Sequence, residues 1–403
     1  ADRRIALPAY DGRSIGNVAS SILRAFGADP SPLSPPLLPP VDPALLAPEL
    51  IAGARVVVLI VVDGLSHVAR KRGCCFLSGP RPVVDATLTS VFPSTTAAAL
   101  TSLQLGVAPA PHGMAGYTLC LPSVGRVVNM VTFKPVDGSA LPEQAIDLAS
   151  FVTVPTVYDQ LAANGIDSFV VSHKEYARSP LTIVQSGETP YLGHRTAAEM
   201  AGLLRREATT PGRRFVFGYW AGIDMLAHTY GPASDQCDLE LRLLDQALRD
   251  GFLTPLARSG EDVAVILTAD HGHTTVLDDR VRTLNDLAGV VEGWSGPPTG
   301  ERRSVGLTLT RDESRRTLGE AVGADGVVVS AADALAAGLY GPPPHHSEVL
   351  DRVGDTLLLS TSPASFPYRP SRKDGGNEIS PGAHGSLTEE EMIVPFIVWR
   401  FGA

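Results

Sequence analysis

The 403-residue sequence has only four lysines and four cysteines, and each scarcity excludes something. The lysines are Lys71, Lys134, Lys174 and Lys373; every other basic residue is arginine, and none of them forms a block. Against 33 basic residues stand 43 acidic ones, a formal charge of −10. A chain without a basic patch is not built to coat nucleic acid or to dock on anionic lipid. A small anionic substrate stays open, because bound dications reverse the local sign of charge. Cys74, Cys75, Cys120 and Cys237 form no C-x-x-C pair and fit neither a zinc finger nor a disulfide framework. The vicinal pair Cys74-Cys75 reads as small buried apolar residues, which favours a reducing, cytoplasmic compartment. The first ten residues carry no apolar signal-like core, and a leader cleaved before them stays open. The longest aliphatic run, 56–62, is too short to span a bilayer.

What the sequence has is apolar material for a large core. A hydrophobic content of 44% excludes wholesale disorder. The length fits two domains, or one large α/β domain with insertions. Residues 11–27 have helical periodicity, and a stretch rich in proline and leucine runs from Pro30 to Pro48. Residues 1–50 are therefore expected to form an arm packed on the main domain. At 56–62 seven aliphatic residues follow one another, as a strand buried on both faces requires. Further strands are expected at 169–171, 215–219, 263–267, 355–359 and 393–398. Helices are expected at 96–105, 155–164, 195–207 and 238–250. The alternation predicts a doubly wound, mostly parallel sheet with helices on both faces. Between 276 and 346 the pattern weakens and prolines bracket short pieces, which predicts a small inserted cap. The core is then 51–275 with 347–403.

Three of the predicted strands end in an aspartate: Asp63, Asp224 and Asp270. One such residue is usually a turn or a helix cap. Three at equivalent ends of a parallel sheet stand where such sheets bind ligands. Asp224 and His228 are four residues apart and share a face of a helical turn. Asp270 and His271 are adjacent. Aspartate with histidine suits zinc, and also manganese or iron. A hydroxyl cluster, Ser94, Thr95 and Thr96, precedes the helix expected at 97–105. A hydroxyl at a helix N-terminus is a plain cap when alone, and a candidate nucleophile beside a dication.

These residues resemble the alkaline phosphatase superfamily, in its nucleotide pyrophosphatase/phosphodiesterase and phosphonoacetate hydrolase branch. The resemblance runs over most of 55–275, with a short piece near 384. It rests on the strand-D-G motif at Asp63, the Pro93-Ser94-Thr95-Thr96 segment leading to Gly106, and His112-Gly113. The D-x-x-x-H pair, the D-H-G motif and His384-Gly385 complete it. The resemblance implies an alkaline-phosphatase-like fold and two divalent metal ions, with zinc first and manganese or iron as alternatives. It implies Asp63, Asp270 and His271 as ligands of one metal, beside Thr96, and Asp224, His228 and His384 as ligands of the other. Thr96 is implied as the nucleophile, with Thr95 as the alternative if the register slips by one. His273 is a candidate support beyond the ligands; the pair His345-His346 reads as surface.

The implied activity is hydrolysis of phosphate diesters or nucleotide pyrophosphates through a phospho- or nucleotidyl-threonine. Phosphomonoester hydrolysis, phosphonate C–P cleavage and a non-catalytic metal-binding regulatory role are the alternatives. The C/S-x-P-x-R context of sulfatases is absent from all four cysteines. Many relatives carry an asparagine where this chain has Tyr117; Tyr117 or Asn129 is expected to contact a phosphoryl oxygen instead. The aromatic residue that often follows the nucleophile is Ala97 here. Phe92, Lys174 and Tyr176 are further candidate contacts, and Arg178 a candidate third cation. The expected partner is a small phosphorylated substrate, a nucleotide among the candidates, with no nucleic-acid coating and no membrane. Oligomeric state is left open.

Overall fold

Val56–Val62 (β1) contains no polar side chain, and all seven residues are buried. A strand apolar on both faces needs cover on both sides, which places it inside a parallel sheet. The computed structural model describes residues 4–28, 35–73, 75–76, 78–142, 144–368 and 380–402, and it shows this arrangement. The other strands of the central sheet, in chain order, are Val84–Thr89 (β2), Asp167–His173 (β3), Tyr191–His194 (β4), Arg214–Trp220 (β5), Val263–Thr268 (β6) and Ile393–Phe401 (β7). Their spatial order is β2-β7-β6-β1-β5-β3-β4. Only β7 runs against its neighbours, β2 and β6. The sheet is thus mostly parallel, as expected.

Register sets the site. β1 pairs in parallel with β5 (Val62 opposite Trp220) and with β6 (Val61 opposite Thr268). The segments beginning at Asp63, Ala221 and Ala269 therefore leave the sheet side by side at its carboxyl edge.

Helices cover the sheet close to where periodicity placed them, at Thr96–Leu105, Val157–Ala162, Ala197–Thr209 and Asp235–Leu248. Val18–Ala25 buries Val18, Ile22 and Leu23 in the same apolar cluster as β1. Leu38, Val41 and Leu46 join that cluster from the proline-rich stretch. No helix among the described residues is long and apolar enough to cross a membrane.

A second sheet is antiparallel, in the order Trp294–Glu301, Ser304–Leu309, Thr356–Ser360, Gly326–Ser330. Thr356–Ser360 departs from expectation, since its sequence was assigned to the core. It is a middle strand of the smaller sheet with all five residues buried. A short buried run has the same signature in either sheet, so periodicity cannot tell them apart. A three-stranded antiparallel unit at Thr118–Leu121, Arg126–Asn129 and Lys134–Pro135 also went unanticipated.

The second sheet is tied to the first by a buried ion pair. Arg303 Nε and Nη2 donate to the two oxygens of Glu391 at 2.7 and 2.8 Å, and both side chains are fully buried. Nη1 donates to the carbonyl of Ser362 at 2.9 Å. The same carboxylate accepts from the backbone N–H of Ser386 at 3.0 Å, which fixes the segment carrying His384.

Candidate metal centre and active site

Asp63 leaves β1 into Gly64, whose φ of +72° is in the left-handed region. A Cβ on Gly64 would meet the His273 ring at 2.9 Å and the Asp224 Cα at 3.0 Å, so only glycine lets these segments approach. Gly272 is equally constrained, as its Cβ would lie 2.1 Å from the carbonyl oxygen of Glu390. Asp270 is fully buried and accepts from the N–H of Gly64 at 3.2 Å and of His271 at 2.9 Å. A two-residue ladder between Thr274–Thr275 and Gly382–Ala383 brings His384 beside the loop after β6. Asp224 and His228 lie on the helix Gly222–Tyr230.

Thr96 is the first residue of its helix and Thr95 its N-cap. Thr96 Oγ1 lies 3.2 Å from His271 Nε2 and lines the cavity at the sheet edge. Thr95 is fully buried and does not line that cavity. Of the two candidate nucleophiles, the structure brings Thr96 to the cluster.

Three imidazoles share one orientation. His271 Nδ1 contacts the Gly272 carbonyl at 3.1 Å, His228 Nδ1 the Gly382 carbonyl at 3.1 Å, and His384 Nδ1 the Ser94 carbonyl at 2.9 Å. A carbonyl only accepts, so each Nδ1 carries the proton and each Nε2 turns a lone pair inward. His271 Nε2 faces Asp63 Oδ1 at 3.5 Å and Asp270 Oδ2 at 3.4 Å. His228 Nε2 and His384 Nε2 are 3.1 Å apart. Asp224 Oδ1 is 3.5 Å from His228 Nε2, 3.7 Å from His384 Nε2 and 2.6 Å from His273 Nε2.

The electrostatics follow. Burial, then the charges of Asp270 and Asp224, push Asp63 well above the usual carboxylate range. Tyr219 relieves Asp63 in part by donating its hydroxyl to Oδ2. Burial opposes ionisation of Asp224 too, but the hydrogen bond and charge of His273, with His228 and His384, hold it below the usual range. Burial pushes His228 down to about 4 and His384 well below an ordinary histidine. Both are therefore neutral at pH 7.

The described residues thus hold two candidate ligand groups, Asp63 with Asp224 and His271, and Asp224 with His228, His273 and His384. Asp270 adjoins the first group through His271. Asp63 Oδ1 and Asp270 Oδ2 are buried without a hydrogen-bond partner. Converging lone pairs and unpartnered carboxylate oxygens fit divalent cations, and carboxylate with imidazole is a donor set for zinc, manganese or iron.

All seven residues expected around the metals meet at this edge, and His273 joins them inside the ligand cluster. Tyr117 lines the cavity, as does Tyr176, but Asn129, Lys174 and Arg178 do not. Asn129 Oδ1 is taken up by a turn, accepting from the N–H groups of Val131 and Thr132 at 2.9 and 3.0 Å. Phe92 is fully buried against Tyr340, with ring centroids 4.9 Å apart. His345 and His346 lie outside the cavity.

Sequence reasoning missed Tyr219, Glu301 and Arg302. Tyr219 sits near the end of β5 and looks like another core aromatic. Glu301 and Arg302 stand at the tip of the hairpin joining the first two strands of the second sheet. Glu301 Oε2 is 3.5 Å from His384 Nδ1, and burial raises its carboxyl well above the ordinary range. Nothing in their local sequence signals a site.

A mostly parallel sheet with acids and histidines gathered at its carboxyl edge agrees with the alkaline-phosphatase-like fold that the sequence resemblance implies. The profile of the type I phosphodiesterase / nucleotide pyrophosphatase family matches residues 57–374, and the chain belongs to that family. Murine ectonucleotide pyrophosphatase / phosphodiesterase 5 is similar in structure, with a TM-score of 0.63 at 17% identity over 85% of this chain and 87% of that one. An inactive threonine-to-alanine variant of it, in complex with AMP, superposes with a TM-score of 0.59 at 17% identity over the same shares, 85% and 87%. Phosphonoacetate hydrolase from Sinorhizobium meliloti, in complex with phosphonoacetate, gives 0.60 at 20% identity over 86% and 90%. Comparison with curated protein sequences gives no match. Family and fold together indicate a phosphoester hydrolase.

Proposed function

We propose that the protein is a two-metal phosphodiesterase or nucleotide pyrophosphatase that works through a covalent Thr96 intermediate. The observation that carries it is the placement of Thr96 Oγ1, 3.2 Å from His271 Nε2, beside the unpartnered carboxylate oxygens of Asp63 and Asp270. Asp63, Asp270 and His271 would hold one cation beside Thr96; Asp224, His228 and His384 would hold the other. Two such cations, zinc first among the candidates, supply Lewis-acid stabilisation of charge on the phosphoryl oxygens.

The rest is done by this chain. Thr96 Oγ1 attacks phosphorus in line with the scissile bond, the bond to the leaving group breaks, and a phospho- or nucleotidyl-threonine forms. Water then cleaves the Thr96 ester and restores the hydroxyl. The N-terminus of the helix Thr96–Leu105 favours negative charge on Oγ1. The inactive threonine variant of the murine neighbour supports this role. A second reading is favoured by the likeness to phosphonoacetate hydrolase, namely hydrolysis of a phosphonate C–P bond at the same centre.

The test is a screen of metal-reconstituted protein against aryl diesters, monoesters, dinucleotide pyrophosphates and phosphonates. Thr96→Ala should lower turnover by about three orders of magnitude or more. Acid-quenched wild type should carry a phosphoryl or nucleotidyl adduct on Thr96 in intact-mass spectra. Undiminished turnover by Thr96→Ala would sink the nucleophile assignment.

A further inference from the structure

The cavity at the sheet edge has a volume of about 950 Å³, and Arg302 is the single lysine or arginine among its described lining residues. Glu301 pairs with Ser304, so Arg302 and Arg303 form a two-residue hairpin turn. The two arginines point to different destinations. Arg303 is fully buried on Glu391, whereas Arg302 is half-buried and turns into the cavity. The turn is held on both sides. The Arg302 carbonyl accepts from the Phe366 N–H at 2.6 Å, and Thr118 Oγ1 donates to the Gly300 carbonyl at 2.8 Å.

Nothing among the described residues uses the Arg302 guanidinium in a hydrogen bond or an ion pair. A guanidinium is a planar fork of N–H donors that matches a carboxylate or phosphoryl group in two parallel hydrogen bonds. Holding one unpaired at a fixed position in a concave site makes sense if a ligand anion completes it. Its side of the cavity is also defined. Glu301, the residue before it, has its carboxylate 3.5 Å from His384 Nδ1, so the hairpin tip meets the cluster at His384. In-line attack by Thr96 puts the leaving group on the far side of phosphorus from Thr96. With Thr96 beside His271, the groups opposite it are Asp224, His228 and His384, and the hairpin of Arg302 reaches the cluster at His384.

We infer that Arg302 is a specificity-determining residue that binds a second anionic group, carboxylate or phosphoryl, carried on the leaving-group side of the substrate. The inference rests on the proposed phosphoryl-transfer reading and deepens it, because it narrows the substrate class to compounds with two anionic ends. It also gives the second sheet a task, the delivery of one arginine to the cavity.

The test titrates three anions by calorimetry into metal-loaded Thr96→Ala protein, with slight excess metal. Methylphosphonate has no second anion, phosphonoacetate has a carboxylate, and methylenebisphosphonate has a second phosphonyl group. Adding Arg302→Gln should weaken the two dianionic-ended ligands about 10- to 100-fold and leave methylphosphonate within about 2-fold. Arg302→Lys, which keeps charge but loses the fork, should recover part of the loss and guards against a folding defect. The ligand with the larger loss identifies which second anion the arginine prefers. Equal losses for all three anions would mean that Arg302 grips the reacting group, and no loss for any would mean that it binds no anion; either overturns the inference. Failure of the hydrolase reading looks different: Arg302-dependent binding would persist while wild type turned over none of the phosphoryl substrates. Failure of any anion to bind with Arg302 intact overturns both.

Discussion

His228 and His384 turn unprotonated Nε2 atoms toward each other at 3.1 Å, while their Nδ1 protons are committed to the carbonyls of Gly382 and Ser94. Two lone pairs at that distance repel. A shared proton is disfavoured by burial, which holds His228 down to about 4 and His384 well below an ordinary histidine. A divalent cation held between them would resolve the conflict.

Metal removal should therefore cost stability. A cation present 1,000-fold above its dissociation constant adds about 4 kcal/mol per site. Chelation should lower the thermal midpoint and added zinc should restore it. His384→Ala should reduce bound metal from two equivalents to one by elemental analysis. Two equivalents retained in His384→Ala would remove it from the ligand set.

His273 tests the support of the same site by a different route. Its Nε2 lies 2.6 Å from Asp224 Oδ1, closer than His228 or His384, and its Nδ1 is buried without a partner. His273→Gln should weaken the cation at the Asp224 site by about 10- to 100-fold and spare the other, as loss of a group orienting a metal ligand does. Competition with a metallochromic chelator measures it. Unchanged affinities at both sites would make His273 a packing residue only.

The strand-end acids were legible because a buried parallel strand announces itself by an unbroken aliphatic run, and Asp63 and Asp270 stand just past two of them. His228 was legible as the fourth residue after Asp224 on one helix. His384 came from resemblance alone; no spacing rule links it to β6, and only the ladder at Gly382–Ala383 explains its place. Arg302 and Glu301 were illegible, because they enter from a second sheet whose docking depends on the long-range pair of Arg303 with Glu391. Asn129 failed for the converse reason. Its side chain found a local turn partner, a competition that asparagine often wins.

The pair of Arg303 and Glu391 joins the hairpin of Arg302 to the segment of His384. With both side chains fully buried, Arg303→Met leaves a bare carboxylate and should cost about 3–5 kcal/mol. Arg303→Met with Glu391→Leu should regain much of that loss, since an apolar pair needs no compensation. Unfolding midpoints of the two variants decide it. A double variant no more stable than the single one would show that the carboxylate's bonds to Ser386 and Thr388 matter more than its charge balance.

His112 sets an acid limit on the fold away from the metals. It is buried, accepts from the N–H of Met114 at Nδ1 (3.1 Å) and donates from Nε2 to Ser102 Oγ (2.9 Å). Protonation at Nδ1 breaks the first bond, and burial holds the imidazole down to about 3. An unfolded histidine titrates near 6.5. The folded value is lower, so between these values the unfolded chain binds the extra proton, and stability falls as pH falls. The slope is about 1.4 kcal/mol per pH unit for one such group. From pH 7 to pH 5, wild type should therefore lose about 2 kcal/mol more than His112→Gln. The comparison belongs in metal-free protein, where His228 and His384 contribute equally to both variants and cancel. Denaturation midpoints at the two pH values give the difference directly, whatever His112→Gln costs at pH 7. Parallel pH profiles would mean that His112 is already able to take up a proton in the folded state.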